Sequence, residues 1–181
     1  MKVTSDGIIK GQIEKRFGGF GEQKNCHGLG NYSLPFKVSD YPMGTACFAL
    51  LFEDKDAFPV TGGFSWIHWT ACNIRKAVVR ENESVSADFL QGVNSYISIQ
   101  GGSLPRADCI GYCAPSPPDA PHIYELHVYA LDAVLDLQNG FNMNEMFRKM
   151  EGHVLDKATI KGVYPNNRRR FLKSAGAGFS K

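Results

Sequence analysis

The chain has 181 residues, 43% of them hydrophobic and 21% charged, with a formal net charge of +2. That is about one domain of ordinary globular composition, long enough to bury a core without disulfides or a structural metal. The charge is uneven: residues 166–181 hold five basic residues and no acidic one, leaving 15 basic against 18 acidic residues before them, and a mildly acidic body excludes the basic face of a nucleic-acid binder.

No apolar run reaches the roughly 18 residues of a membrane span, so membrane contact is expected to be peripheral at most. The opening MKVTSDGIIKGQIEKRFGG lacks the apolar stretch of a signal peptide. Five cysteines, at 26, 47, 72, 109 and 113, are an odd set that fits reduced thiols in the cytoplasm. Cys26 beside His27, and Cys109 near Cys113, do not make a four-ligand zinc pattern.

Residues 1–45 are broken by Gly18, Gly19, Gly21, Gly28 and Gly30, which favours short strands and turns over a helix. Ala46 to Glu53, ACFALLFE, is a continuous apolar run and predicts a strand buried on both faces. Asp54 to Gly63 reads as a loop. Phe64 to Ile74 is aromatic and β-branched and predicts a second strand, in which strict alternation puts Phe64, Trp66, His68, Thr70 and Cys72 on one face. Ser86 to Val93 suggests a short helical turn, and Gly101 to Ala120 is long for an irregular connection, a length at which loops are often functional.

Pro115, Pro117, Pro118 and Pro121 then lead into His122. Each proline fixes φ and lacks an N–H, so this approach is a stiff loop outside the sheet. His122 to Asp132 predicts a third strand, with His122, Tyr124, Leu126, Val128 and Ala130 on one face and Ile123, Glu125, His127, Tyr129 and Leu131 on the other. One helix follows, at about 142–151. Asn142 and Glu145 make a capping box, Met143, Met146, Phe147 and Met150 form an apolar face, and Gly152 stops it. Val154 to Tyr164 predicts a final strand. Residues 1–165 therefore read as one domain, mainly β, and residues 166–181 as a basic, mobile tail.

Polar groups gather at three places: Asp54 with Asp56, His68 between Trp66 and Trp69, and His122 with Tyr124. The run Asp54-Lys55-Asp56-Ala57-Phe58 followed by Trp66-Ile67-His68-Trp69 resembles the first signature of the phosphatidylethanolamine-binding proteins, also called Raf kinase inhibitor-like proteins, roughly D-P-D-A-P then W-x-H-W. The run Ala114 to Tyr124, APSPPDAPHIY, resembles their second, roughly G-P-x-P-P-x-G-x-H-R-Y. Val128 to Asp132 and Met150 to Tyr164 match the usual ending, so the resemblance covers about 28–164 and is closest to the bacterial and archaeal branch. Lys55, Phe58, Ala114, Ala120 and Ile123 depart from the signatures.

The resemblance implies a Greek-key sandwich of two antiparallel sheets and a small anion-binding cavity without cofactor or metal. Carried over by motif position, the cavity comprises Asp54, Asp56, His68, His122 and Tyr124, walled by Trp66, Pro117 and Pro118. It implies non-catalytic binding of phosphate, carboxylate or a phosphorylated head group, with a kinase or protease as the partner such a pocket would regulate, in a monomer or homodimer. Imidazole and phenol donors suit anionic oxygens. Asp54 then reads as orienting an imidazole, and Asp56 as tying its own loop. Two other readings stand beside this one. Asp54, His68 and His122 could serve a hydrolase or a metalloenzyme, with Cys113 or Ser116 as nucleophile; or the basic tail could bind acidic surfaces.

Overall fold

The computed structural model describes residues 1–166. Its strands are β1 (Lys2–Thr4), β2 (Ile8–Ile9), β3 (Gln12–Ile13), β4 (Phe36–Ser39), β5 (Cys47–Asp54), β6 (Trp66–Ile74), β7 (Val78–Val79), β8 (Leu90–Gln91), β9 (His122–Leu131) and β10 (Val154–Tyr164). Two α-helices accompany them, α1 (Phe58–Thr61) and α2 (Met143–Met150). The strands form a three-stranded sheet, β1-β4-β7, and a seven-stranded sheet, β2-β3-β10-β9-β5-β6-β8.

The long strands pair antiparallel, and β9 lies between β5 and β10, a crossed order of the Greek-key type. This is the mainly β, two-sheet fold expected from the sequence. One departure is a parallel pairing between strands, Val163 with Gln12, where β10 meets β3; an isolated parallel bridge also joins Gly92 to Phe141.

Alternation along the central strands builds two cores. Phe48, Leu50 and Phe52 of β5, with Tyr124, Leu126 and Val128 of β9, face the interior shared with Val3, Phe36 and Val79 of the smaller sheet. Cys47, Ala49, Tyr129 and Leu131 face the other way, under Met146 and Met150 of α2. All of β5 is buried, which is why its sequence is a continuous apolar run rather than an alternating one. The predicted capping box of α2 is present, between Asn142 and Glu145.

Three expectations need correction. The 54–63 loop contains α1, with Pro59 in its first turn, where a missing N–H costs nothing. The helical turn expected at 86–93 lies earlier, as a 3₁₀ turn at Glu83–Ser86, and Leu90–Gln91 is a strand. The shared face of β6 is also wrong beyond His68. Phe52 pairs with Trp69 and Glu53 with Ile67, so His68 is an extra residue, a β-bulge. His68 and Trp69 therefore both face the inter-sheet core, where Phe52 meets His68 and Tyr112 meets Trp69. Cys72 is thrown to the α2 side. The tail, expected to be mobile, lies outside the described residues apart from Asn166.

Candidate functional site

The register of the large sheet places the site. Trp66 pairs with Asp54 across β6–β5, and Asp54 pairs with Tyr124 across β5–β9. These three form a row at one end of the inter-sheet core, and the bulge turns His68 toward them. A cavity of about 220 Å³ opens there, lined by Asp54, Trp66, His68, Pro117, Pro118, His122 and Tyr124, and also by Ala57, Val60, Tyr96, Gln100, Ala114 and Ser116. Seven of the eight residues expected at the site therefore meet.

Asp56 does not. Its Oδ2 accepts from the Ile123 N–H at 2.8 Å, so it ties the 54–63 loop to the start of β9 and lies outside the cavity lining. Tyr96, Gln100 and Val60 were not anticipated. Tyr96 packs edge-on against Trp66 with centroids 5.2 Å apart, and no local pattern in the sequence marks it as a wall.

His68 is clamped from two sides by the proline loop. Its backbone carbonyl oxygen accepts from the Cys113 N–H at 2.8 Å, and its ring Nδ1 lies 2.8 Å from the Cys113 carbonyl oxygen. A carbonyl only accepts, so Nδ1 carries the proton and Nε2 is left without a hydrogen-bond partner among the described residues. Burial pushes the His68 pKa down, against the pull of the Asp54 carboxylate, so the ring is neutral in the free pocket.

His122 is held differently. Its Nδ1 lies 2.8 Å from Asp54 Oδ2 and its Nε2 2.9 Å from Asp119 Oδ1. Burial disfavours its charge, but Asp54 and then Asp119 outweigh burial and raise the pKa. Asp54 thus orients one imidazole, and its Oδ1 accepts from the Asp56 N–H at 2.9 Å.

Tyr124 is 1% exposed, and its hydroxyl has no hydrogen bond of ordinary geometry. Its ring stands edge-on to His68 at 5.2 Å and tilted to His122 at 6.4 Å. Burial, and next the Asp54 carboxylate, push the phenol pKa far up, so it keeps its proton. An unpaired buried hydroxyl costs roughly 1–3 kcal/mol.

The sequence departures leave the pocket open. Lys55 turns away to Glu125 at 2.7 Å, Phe58 and Ile123 are exposed, and none of Lys55, Phe58, Ala120 or Ile123 lines the cavity. Ala114 fits because its neighbour is Gly30: a Cβ there would come within 2.7 Å of Ala114 Cβ. Cys113 is a poor nucleophile, since burial pushes its thiol pKa up and only the thiolate reacts. Ser116 lines the cavity. Asp54, His68 and His122 are not among the groups of metal-ligating atoms that approach one another within 4.8 Å among the described residues.

The fold and pocket together define a two-sheet β protein with a histidine–tyrosine cavity at one end of its core. Residues 4–165 match the family model of the phosphatidylethanolamine-binding proteins, and the chain belongs to that family. It is 44% identical over 133 residues to an uncharacterised protein of Bacillus subtilis, covering 71% of this chain and 79% of that one. A UPF0098 protein of Chlamydia muridarum is 34% identical over 166 residues, covering 91% and 98%. Among solved structures, a phosphatidylethanolamine-binding protein homologue from Chlamydia trachomatis superposes with a TM-score of 0.74 at 30% identity, over 91% of this chain and 97% of that one. Escherichia coli YbcL, at a TM-score of 0.68 and 24% identity over 92% and 98%, shares the fold.

Proposed function

We propose that this protein is a non-catalytic binder of small anions, and of phosphorylated head groups in particular, through the cavity of Asp54, His68, His122 and Tyr124. The observation that carries this reading is that His68, His122 and Tyr124 line one cavity, with the Nε2 of His68 lacking a hydrogen-bond partner among the described residues and the Tyr124 hydroxyl lacking a hydrogen bond of ordinary geometry. An anionic oxygen seated there accepts from Tyr124. It also draws a proton onto His68, which then donates a second, charge-assisted bond. His122 contributes its positive charge once the ligand replaces Asp119 at Nε2. In phosphorylethanolamine, the ammonium group can meet the Asp54 or Asp119 carboxylate.

Size limits the ligand. At about 220 Å³ the cavity is smaller than the roughly 300–1,000 Å³ typical of drug-sized ligands. It suits a head group and leaves any lipid tail outside. A phosphate has five heavy atoms at a ceiling of about −1.5 kcal/mol each, which caps affinity near low micromolar. Tighter binding calls for a larger partner that presents the same group, such as a phosphorylated protein. All five cysteines are free, which favours a reducing, cytoplasmic setting. No helix among the described residues is long and apolar enough to cross a membrane.

The test is an NMR titration of metal-free protein with inorganic phosphate, acetate and O-phosphorylethanolamine, following the imidazoles. Saturable shifts at His68 and His122, with none at His127 on the opposite face, are expected. His122→Gln is expected to weaken binding while leaving the fold intact. Silence at both pocket histidines, or undiminished binding in His122→Gln, would overturn the reading.

A further inference from the structure

Two groups of metal-ligating side chains lie outside the pocket among the described residues: Glu53 with Glu125 and His127, and Cys26 with His27 and Asp108. The first is closed by its own cations. Lys55 lies 2.7 Å from Glu125 and 3.3 Å from Glu53, Lys161 lies 2.8 Å from Glu125, and His127 Nε2 bridges both carboxylates. A metal would have to displace two ammonium groups, so this is an ion network. The second group differs. His27 Nε2 lies 2.8 Å from Asp108 Oδ2, and Cys26, the one exposed cysteine, has no hydrogen bond or ion pair among the described residues.

We propose that Cys26, His27 and Asp108 bind one zinc-class divalent cation, with a fourth coordination position open. The geometry suits it. One ligand atom from each residue lies within 4.8 Å of the others, with the closest imidazole–carboxylate approach at 2.8 Å. Bonds of about 2.0–2.3 Å in a tetrahedral site put ligand atoms roughly 3.3–3.8 Å apart. The 2.8 Å imidazole–carboxylate approach is shorter than that value and no pair exceeds 4.8 Å, so small side-chain movements reach it.

The supports are built independently of one another. Asn25 Oδ1 accepts from the His27 and Leu29 N–H groups, each at 3.0 Å, and the Asn25 N–H bonds the Leu29 carbonyl at 2.8 Å. This pins the Cys26-His27 loop. Asp108 sits in the 3₁₀ turn Arg106–Cys109, which Arg106 anchors to the Gly140 carbonyl at 2.9 Å. The donor set of thiolate, imidazole and carboxylate favours zinc or cobalt over magnesium or calcium, which take oxygen ligands. Cys26 would ligate the ion as its thiolate. The open position would hold water or an exchangeable ligand.

Cobalt(II) titration of the reduced full-length protein tests this. A thiolate-to-cobalt charge-transfer band in the near ultraviolet is expected, saturating at one equivalent and bleached by zinc. It should vanish in Cys26→Ser, and affinity should fall at least ~10-fold in His27→Gln and in Asp108→Asn, with urea midpoints confirming that each variant folds. The proposal is overturned if no band saturates at one equivalent, or if the band survives in Cys26→Ser. It is equally overturned if His27→Gln and Asp108→Asn both bind as tightly as the parent, which would mark an ion held by a single thiol.

Discussion

Asp119 Oδ1 stands 2.9 Å from His122 Nε2, so a resident carboxylate holds the nitrogen an incoming anion would use, three residues earlier on the proline loop. The Asp119 side chain is 50% exposed, and a half-exposed ion pair contributes only about 0.2–1 kcal/mol. Asp119→Asn removes this competitor. Phosphate binding at pH 6 is expected to tighten about two- to fivefold, and the His122 pKa to move down toward the ordinary histidine value. Both are read from one imidazole NMR titration, and unchanged affinity would show that Asp119 does not compete.

Tyr124→Phe separates stability from binding. The hydroxyl has no hydrogen bond of ordinary geometry, although the Asp54 carboxylate acts on it, so its loss is expected to change the stability of the free protein by no more than about 1 kcal/mol in urea unfolding. The same variant is expected to bind phosphate roughly tenfold more weakly, since one hydrogen bond to a charged group is worth about 1.5 kcal/mol. A destabilised variant with intact binding would mean that Tyr124 serves packing alone.

Binding is expected to strengthen as pH falls. Burial holds the free His68 below its ordinary pKa. A bound anion favours the imidazolium, so binding takes up a proton at any pH between the free and bound pKa values. Sulfate, which does not titrate in this range, should bind more tightly at pH 6 than at pH 8 by calorimetry, and His68→Gln should flatten that dependence.

The outer face of β9 governs acid stability. His127, first among several partners, holds the Glu53 pKa down to about 2 from 4.5. A lowered carboxylate pKa gives stability that is full above the unfolded value of 4.5 and is lost as pH falls from there toward 2. On the order of 3 kcal/mol is at stake at most. Glu53→Gln is expected to lower stability at pH 7 and to reduce the loss between pH 5 and pH 2, as measured by urea midpoints.

Much of this protein is legible in one dimension. The apolar run of β5, the alternation of β9, the capping box of α2 and the proline loop before His122 are local patterns, and each appears where its residues place it. The site residues Asp54, Trp66, His68, His122 and Tyr124 were readable because two short signatures carry them. Other features depended on residues far apart in the sequence. The bulge at His68 arises from how β6 pairs with β5, and strict alternation sent Thr70 and Cys72 to the wrong face. Tyr96 and Gln100 reach the cavity from a loop that contains neither signature.

The sequence by itself determined the mainly β class and the longest elements, because periodicity and turn residues act within a few positions of one another, while the two-sheet arrangement and the expected pocket residues came from the resemblance that the two signatures carry. Only the tertiary structure decided the rest. It placed Asp54 between Trp66 and Tyr124, left the Tyr124 hydroxyl unpaired, set Asp119 on His122 and brought Asp108 to His27 across 81 positions. Those relationships depend on cross-strand register and loop docking, which the packing of the whole core sets and no local pattern encodes.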